Sequence, residues 1–532
     1  MVFWSGMSTR YRSLVWIVFF TTTVSLLVFC VQWNIGLDLA DEGYIWHDAL
    51  RTLSGSIPQL DFRSYEPGRY YWTASGMSVF GRDILGFRLS LFLFFVPALA
   101  SAIWALGRAG ASRAARFGFS ILALIWLIPR HKTFDHSLSL YGVAAYFAFF
   151  ALRGPWVPWI AGMVAGCACF FGRNHGLYLL LSFALLLSFY GKKKPRLASI
   201  GRFAGGAILG ASPFAILAIA HPRYLSAFWD RVVYPIRTGS TNIALPVPWP
   251  WTAPWDPIRT SVGLLLCLLP VSYALWIASD RLRRTPRFAS HDLILVSSVL
   301  GFVYLHHAFA RADLGHLAQV MMPFLVTCVL WIDGLKAPAK VVASTGLVLL
   351  TALSAGRAGY LGVRLFDSGN YVRTEITERE LLISPSVASI VSGAKQASAL
   401  FGSPRTDDVY FAPHLPGLYP ILGKISPTWD TYYLRRESDD SQARQVAELR
   451  AHDVRWAIVG DATIDRREDL YFSRTSPLIW NFIQAEFRPS NEVTLPAPYR
   501  LFLKGTPAAP PVTETRMDSV SMSQLLKVIA LN

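Results

Sequence analysis

Between residues 14 and 356 the chain alternates apolar blocks near 20 residues long with short polar or cationic breaks. A helical block of that length matches the hydrocarbon thickness of a bilayer. The pattern predicts about eleven membrane-crossing helices, over about 14–33, 88–106, 117–129, 137–152, 156–171, 176–190, 200–220, 259–278, 291–308, 317–332 and 341–356. Gly205, Gly206 and Gly210 in the seventh suit close contact with another helix. The cationic groups fall in every second break: Arg10 and Arg12; Arg108, Arg113 and Arg116; Arg153; Lys192–Arg196; Arg281–Arg287; Lys336 and Lys340. Cytoplasmic loops carry such an excess, so the N-terminus is expected inside and the chain after residue 357 outside. The outer break over 221–258 holds PVPWPWTAPWDP, whose prolines exclude regular helix and whose Trp249, Trp251 and Trp255 suit the headgroup level.

After residue 357 no block is long enough to cross a bilayer. Asp408–Ala412, Arg455–Gly460 and Tyr499–Leu503 read as strands, and 438–452 reads as a helix with an acidic first turn. GTPAAPPV, from Gly505 to Val512, reads as a linker to a short terminal helix. The expected fold is therefore a polytopic α-helical membrane protein with a C-terminal periplasmic mixed α/β domain. Its expected parts are a transmembrane domain over 1–356, carrying the outer loop 34–87, and an outer domain over 357–532.

Composition narrows the function. The 532 residues are 53% hydrophobic and 16% charged, with a formal charge of +16. That charge could suggest nucleic acid, but it lies in the interhelical clusters that topology explains, so no nucleic-acid partner is expected. Cys30, Cys167, Cys169, Cys267 and Cys328 all lie in apolar blocks, which argues against a disulfide framework or an exposed metal site. The first block lacks a small-residue cleavage site and reads as a retained helix.

Candidate chemistry gathers on the outer side. The loop from Asp38 to Trp72 carries Asp38, Asp41, Glu42, Asp48, Asp61 and Glu66 with Arg51, Arg63 and Arg69. Three other outer clusters are Arg130 to His136, including Asp135; Arg173-Asn174-His175; and Arg311, Asp313 and His316. Inner breaks carry almost only Arg and Lys, whereas the outer ones mix carboxylate, imidazole and guanidinium. That mixture suits a site handling a proton and an anion. A carboxylate can act as general base toward an acceptor hydroxyl. Arginine and histidine can hold a phosphate leaving group. A divalent metal ion held by carboxylate and histidine would be a further aid. Each residue also has a plainer reading: Asp41 and Glu42 as helix-start acids, Asp135 as partner of Lys132 or Arg130, Arg173 as a snorkelling cation, and Asp313 as a neutraliser of Arg311.

The order D-E-x-x-Y, H-D-A-L-x-x-x-S-G-x-I-P, D-F, then Glu-Pro and Y-Y-W resembles the first outer loop of the GT-C glycosyltransferases. The nearest likeness is to the protein O-mannosyltransferases and the lipid A aminoarabinose transferase. The Arg173-Asn174-His175-Gly176 and Arg311-Ala312-Asp313-x-x-His316 junctions are similar to that class more weakly. The resemblance implies a catalytic Asp41 with Glu42 beside it, and Asp135 as a second acidic residue. It places Arg69 near a phosphate-contacting Lys-Pro-Pro element, where this chain has Glu66-Pro67-Gly68-Arg69 instead.

The expected activity is then inverting transfer of one sugar from a polyprenyl-phosphate donor to a periplasmic acceptor, whether glycan, lipid or protein, in a bacterial inner membrane. Asp41 is the expected base. Arg69, Arg173, His175, Arg311 and His316 are the expected phosphate holders, and membrane lipid surrounds the helices. A transporter or flippase for a lipid-linked sugar is the alternative. It would place ionisable groups at mid-membrane, whereas these gather at one face. A scaffold displaying 357–532 is the second alternative, and it gives the outer loop no task.

Overall fold

The structure, a computed structural model, describes residues 9–152, 154–190, 196–237, 243–252, 256–282 and 288–505. Arg153, Lys192–Pro195, Trp255, Arg283, Arg284, Arg287 and the chain after Gly505, with its expected linker and terminal helix, lie outside the described residues. In chain order the first helices are α1 Thr9–Gln32, α2 Asp41–Leu53, α3 Pro67–Phe80, α4 Ile84–Arg108, α5 Arg113–Ile125, α6 Thr133–Ala151, α7 Val157–Phe171 and α8 Arg173–Phe189. They continue with α9 Leu197–Ala220, α10 Tyr224–Arg237, α11 Pro257–Leu282, α12 Ala289–Ala310, α13 Leu314–Asp333, α14 Ala337–Thr351 and the single turn α15 Tyr360–Gly362. Every expected membrane helix has a counterpart, and seven are long and apolar enough to cross a bilayer by length and composition. The chain is a polytopic helical membrane protein.

Boundaries moved where local chemistry outweighs hydropathy. The expected helix over 117–129 is α5, which starts four residues earlier. Ser112 caps it by accepting from the Ala115 N–H at 3.2 Å. Pro129 accounts for its early end.

The chain divides into two compact units. The first comprises Met1–Trp33, Tyr65–Arg69 and Arg88–Leu365; the second comprises Asn34–Ser64, Tyr70–Phe87 and Phe366–Asn532. Most of the outer loop, expected with the helices, thus clusters with the C-terminal residues.

In the first unit α7 and α9 pack backbone to backbone. A Cβ on Gly162 would lie 1.9 Å from the Phe203 carbonyl oxygen, and one on Gly210 would lie 2.3 Å from that of Met163. Helices without a hydrophobic drive between them associate through such close van der Waals approach. The proline-rich segment before α11 is irregular, as expected. Trp249 and Trp251 stack with ring centroids 5.4 Å apart.

In the second unit a four-stranded sheet runs in the order β3-β4-β6-β5, with a separate hairpin of β1 Val372–Ile376 and β2 Arg379–Ile383. β3 Val409–Ala412 is parallel to β4 Trp456–Gly460, and β6 Tyr499–Lys504 pairs antiparallel with β4 and with β5 Phe487–Ser490. α16 Pro385–Phe401 and α17 Leu418–Ile421 precede α18 Asp439–Ala451, α19 Phe472–Thr475 and α20 Pro477–Glu486, and Tyr410, Ala457, Val459 and Phe502 share a core with Leu449 of α18 and Phe482 of α20. Ser438 caps α18 and acidic residues fill its first turn, as the sequence predicts. The outer loop joins this unit through its backbone. Asn34 O accepts from Leu382 N and Leu382 O accepts from Gly36 N, both at 2.8 Å. Gly417 N donates to Leu39 O at 2.8 Å, and a Cβ on Gly43 would lie 2.4 Å from Gly417 N. Glycine at position 43 permits that approach.

Candidate active site

The first unit gathers most of the predicted polar residues into connected groups. Asp135, in the first turn of α6, accepts from Arg69 NH2 at 2.5 Å and from His175 Nε2 at 2.6 Å. Arg69 Nε donates to the Phe171 carbonyl at 2.6 Å, and the Tyr304 hydroxyl lies 3.2 Å from His175 Nδ1. Gly172 makes room for both side chains: a Cβ there would sit 2.7 Å from His175 Cδ2 and 3.1 Å from Arg69 NH2. Arg69, Asp135 and His175 are all buried. Buried charges persist when paired and hydrogen-bonded, and these are.

Glu66 extends the network. Its carboxylate pairs with Arg173 Nε. Burial works against the ionised Glu66, but the charges of Arg173 and Arg69 outweigh it and hold the carboxyl below the ordinary range. The Arg173 side chain is 40% exposed, whereas Glu66 is buried.

The second group begins at the α12–α13 turn. Asp313 caps α13 by accepting from His316 N at 2.8 Å, holds His316 Nδ1 at 2.9 Å, and accepts from Arg311 Nε at 2.8 Å. Burial pushes the Asp313 carboxyl up, yet the His316 hydrogen bond and the Arg311 charge hold it below the usual range. Arg311 NH1 donates to Ile243 O at 3.1 Å, and Ala312 N donates to Leu245 O at 3.2 Å, so the turn also pins the proline-rich segment. The His307 ring stands 5.3 Å from that of His316 and 5.9 Å from that of His175, joining the two groups.

The second unit holds the acidic motif at the start of α2. Asp38 Oδ1 accepts from Ala40 N at 2.9 Å and Asp41 N at 3.2 Å, while Glu42 Oε2 accepts from Asp38 N at 3.4 Å. This reciprocal capping fixes the first turn and uses Glu42 structurally. Burial, then the charges of Asp41 and Glu42, push the Asp38 carboxyl up to about 7. The Asp38 and Asp41 carboxylates approach within 4.8 Å, a spacing that suits a shared divalent cation. His414, from the C-terminal part, lies within reach of the Asp41 charge, and its buried Nε2 has no hydrogen-bond partner among the described residues. Further along the loop, Arg63 pairs with both Asp430 and Glu437, and the Tyr44 hydroxyl donates to Arg63 O at 2.7 Å.

Of the residues expected from sequence, Arg69, Asp135, Arg173, His175, Arg311 and His316 thus lie in one unit, with Asp41 and Glu42 in the other. Glu66 stood among the outer-loop charges without an assigned role, and Tyr304, His307 and His414 were not among the expected site residues. The His306-His307 pair at the end of an apolar block was the one visible signal for these. His414 stands in an ordinary soluble stretch and carried none.

No sequence profile of a known family matches the chain, and no curated protein matches it in sequence. Among solved structures its neighbours are GT-C glycosyltransferases. The apo structure of ArnT from Cupriavidus metallidurans matches with a TM-score of 0.52 at 12% identity, covering 93% of this chain and 98% of that one. The apo oligosaccharyltransferase of Archaeoglobus fulgidus matches with a TM-score of 0.50 at 11% identity, covering 95% of this chain and 76% of that one. At such identities the likeness is one of fold, and it agrees with the resemblance carried by the first outer loop.

Proposed function

We propose that this chain is an inverting glycosyltransferase that moves one sugar from a polyprenyl-phosphate carrier to an acceptor on the periplasmic face of a bacterial inner membrane. The observation that carries the reading is the Asp313–His316 pair beside Arg311. A carboxylate orients an imidazole whose Nε2 has no hydrogen-bond partner among the described residues, on a fold shared with GT-C enzymes. Held by Asp313 through Nδ1, His316 in its protonated form donates through Nε2 to an anion.

In the proposed reaction the acceptor hydroxyl oxygen bonds to the anomeric carbon from the face opposite the phosphate. The bond from that carbon to the phosphate oxygen breaks, and the phosphate leaves with the electron pair. Asp41 takes the hydroxyl proton as general base. Arg173, Arg311 and His316 take up the charge that grows on the leaving phosphate. Arg69 and His175 already spend their nitrogens on Asp135, Phe171 and Tyr304, so Asp135 positions this pair without touching substrate. Glu66 similarly aims Arg173. Asp38 and Asp41 are the residues that would hold a divalent cation, which would supply Lewis-acid charge at the phosphate.

The test is transfer of radiolabelled sugar from its polyprenyl phosphate in membranes carrying Asp41→Asn or His316→Ala. A loss of roughly 10²–10⁴-fold is expected for Asp41→Asn with the protein still inserted. Transfer at the wild-type rate would remove the mechanism. Movement of the lipid across the bilayer with no glycosylated product would favour the flippase alternative.

A further inference from the structure

A crevice at the far end of the first unit from Asp135 has no task in the proposed reaction. It encloses about 300 Å³ between α1, α4 and α5. Trp16, Phe20, Ile103 and Phe117 make its walls, and Arg113, Ala114 and Arg116 stand at the start of α5. Trp16 and Phe20 stack with centroids 5.0 Å apart, and Phe20 meets Phe117 at 6.0 Å. Trp16 is 48% and Phe117 52% exposed, so the walls open sideways, where a bilayer's acyl chains would lie.

The arginines are what set this crevice apart. Neither Arg113 nor Arg116 forms an ion pair among the described residues. Asp333, the carboxylate that reaches this turn, is already taken. It accepts from Ser112 N at 2.7 Å and Ser112 Oγ at 2.9 Å, and pairs with Lys340 Nζ at 2.6 Å. Arg116 Nε is buried and has no hydrogen-bond partner among the described residues. A buried donor left unmade is costly, so such a group marks a place where an acceptor belongs. The guanidinium is held there by a gap in α4: a Cβ on Gly107 would come within 3.2 Å of Arg116 NH1. The first-turn N–H groups of α5 add partial positive charge on the same side.

We propose that this crevice binds one anionic phospholipid, its phosphate on Arg113 and Arg116 and an acyl chain along Trp16, Phe20 and Phe117. Two unpaired guanidinium groups at the mouth and an apolar interior match the two halves of such a molecule. The orientation that the cationic loops predict puts this end in the cytoplasmic leaflet, whose lipids are anionic. The inference does not rest on the proposed transfer reaction.

Native mass spectrometry of the full chain, released from detergent after incubation with phosphatidylglycerol or phosphatidylcholine, reads this directly. One phosphatidylglycerol should be retained in preference to phosphatidylcholine. Arg113→Gln with Arg116→Gln should lower that retention by about 30-fold, the factor two arginines near an anionic headgroup contribute. Ala114→Trp, which keeps both cations and fills the crevice, should lower it too. Arg202→Gln, an exposed arginine on α9, should not. Equal retention by wild type and the double variant overturns the proposal. So does unaltered retention in Ala114→Trp, or preference for undecaprenyl phosphate over phosphatidylglycerol, which would assign the crevice to the carrier lipid.

Discussion

Replacing Asp135 by leucine asks whether the first unit depends on its buried ion network. Arg69 is 6% exposed, and two of its nitrogens point at this carboxylate, one at 2.5 Å and one at 3.4 Å. Without Asp135 the guanidinium stays buried, keeping Phe171 O and the more distant charge of Glu66 as partners. Removing one member of a buried pair typically costs about 3–5 kcal/mol. The residual attraction of Glu66 argues for the lower end, about 3 kcal/mol. Asp135→Asn keeps one acceptor for Arg69 and can donate to His175, so about half of that is expected. In a unit of this size about 3 kcal/mol lowers the thermal midpoint by roughly 4–5 °C. Fluorescence-detected size exclusion after heating the detergent-solubilised protein measures it. The sharper arm is the pair Arg69→Met with Asp135→Leu. Because the cost arises from an orphaned charge, removing both partners should recover most of the loss. A midpoint for Asp135→Leu within about 1 °C of wild type, or a double variant as poor as the two single losses added, would refute the reasoning.

Further outcomes follow from the same geometry. Gly43→Ala drives a Cβ against the Gly417 backbone, so an overpacking cost of about 2 kcal/mol should show in the same thermal assay. Asp38 is held protonated more readily in the folded chain than its ordinary 3.8. Its contribution to stability is therefore full below pH 3.8 and lost as pH rises through about 7. Asp38→Asn should remove that share of the fall in midpoint between pH 5 and pH 8, and an unchanged slope would show that Asp38 does not titrate there. If Asp38 and Asp41 hold a divalent cation, millimolar Mn²⁺ should raise the wild-type midpoint at pH 8 and leave that of Asp38→Asn unmoved. Asp41→Asn combined with His316→Ala should transfer sugar about as slowly as the worse single variant, since groups acting on one step are not additive. Losses that simply multiply would separate their roles.

Much of the helical layout was legible because bilayer physics writes it into the chain. An apolar block must be long enough to cross, and its flanks are charged by the insertion rule. The strands at Asp408–Ala412 and Arg455–Gly460 were legible for a similar reason, being short apolar runs bounded by turn residues. The hairpin of β1 and β2 was not. Its turn is Thr377-Glu378, which adopts positive φ without the Asn-Gly signal that usually announces it. Helix α2 entered the sequence reading only as the plainer account of Asp41 and Glu42 as helix-start acids, although Ile45, Ala49 and Leu53 lie on one stripe.

The sequence by itself determined that this is a many-spanning membrane protein, which residues carry charge at its outer junctions, and which known loop its first outer segment resembles. Only the tertiary structure decided what each charged residue does with its nitrogens and oxygens. Arg69 and His175 look in sequence like cations awaiting a phosphate; in the fold both are turned onto Asp135. Asp313 looks like a neutraliser of Arg311; in the fold it caps α13 and orients His316 as well. The physical reason is that spacing along a chain predicts which face of a helix a side chain occupies. Which partner it meets depends on helix ends brought together from more than 100 residues away, as Glu66 and Arg173 are.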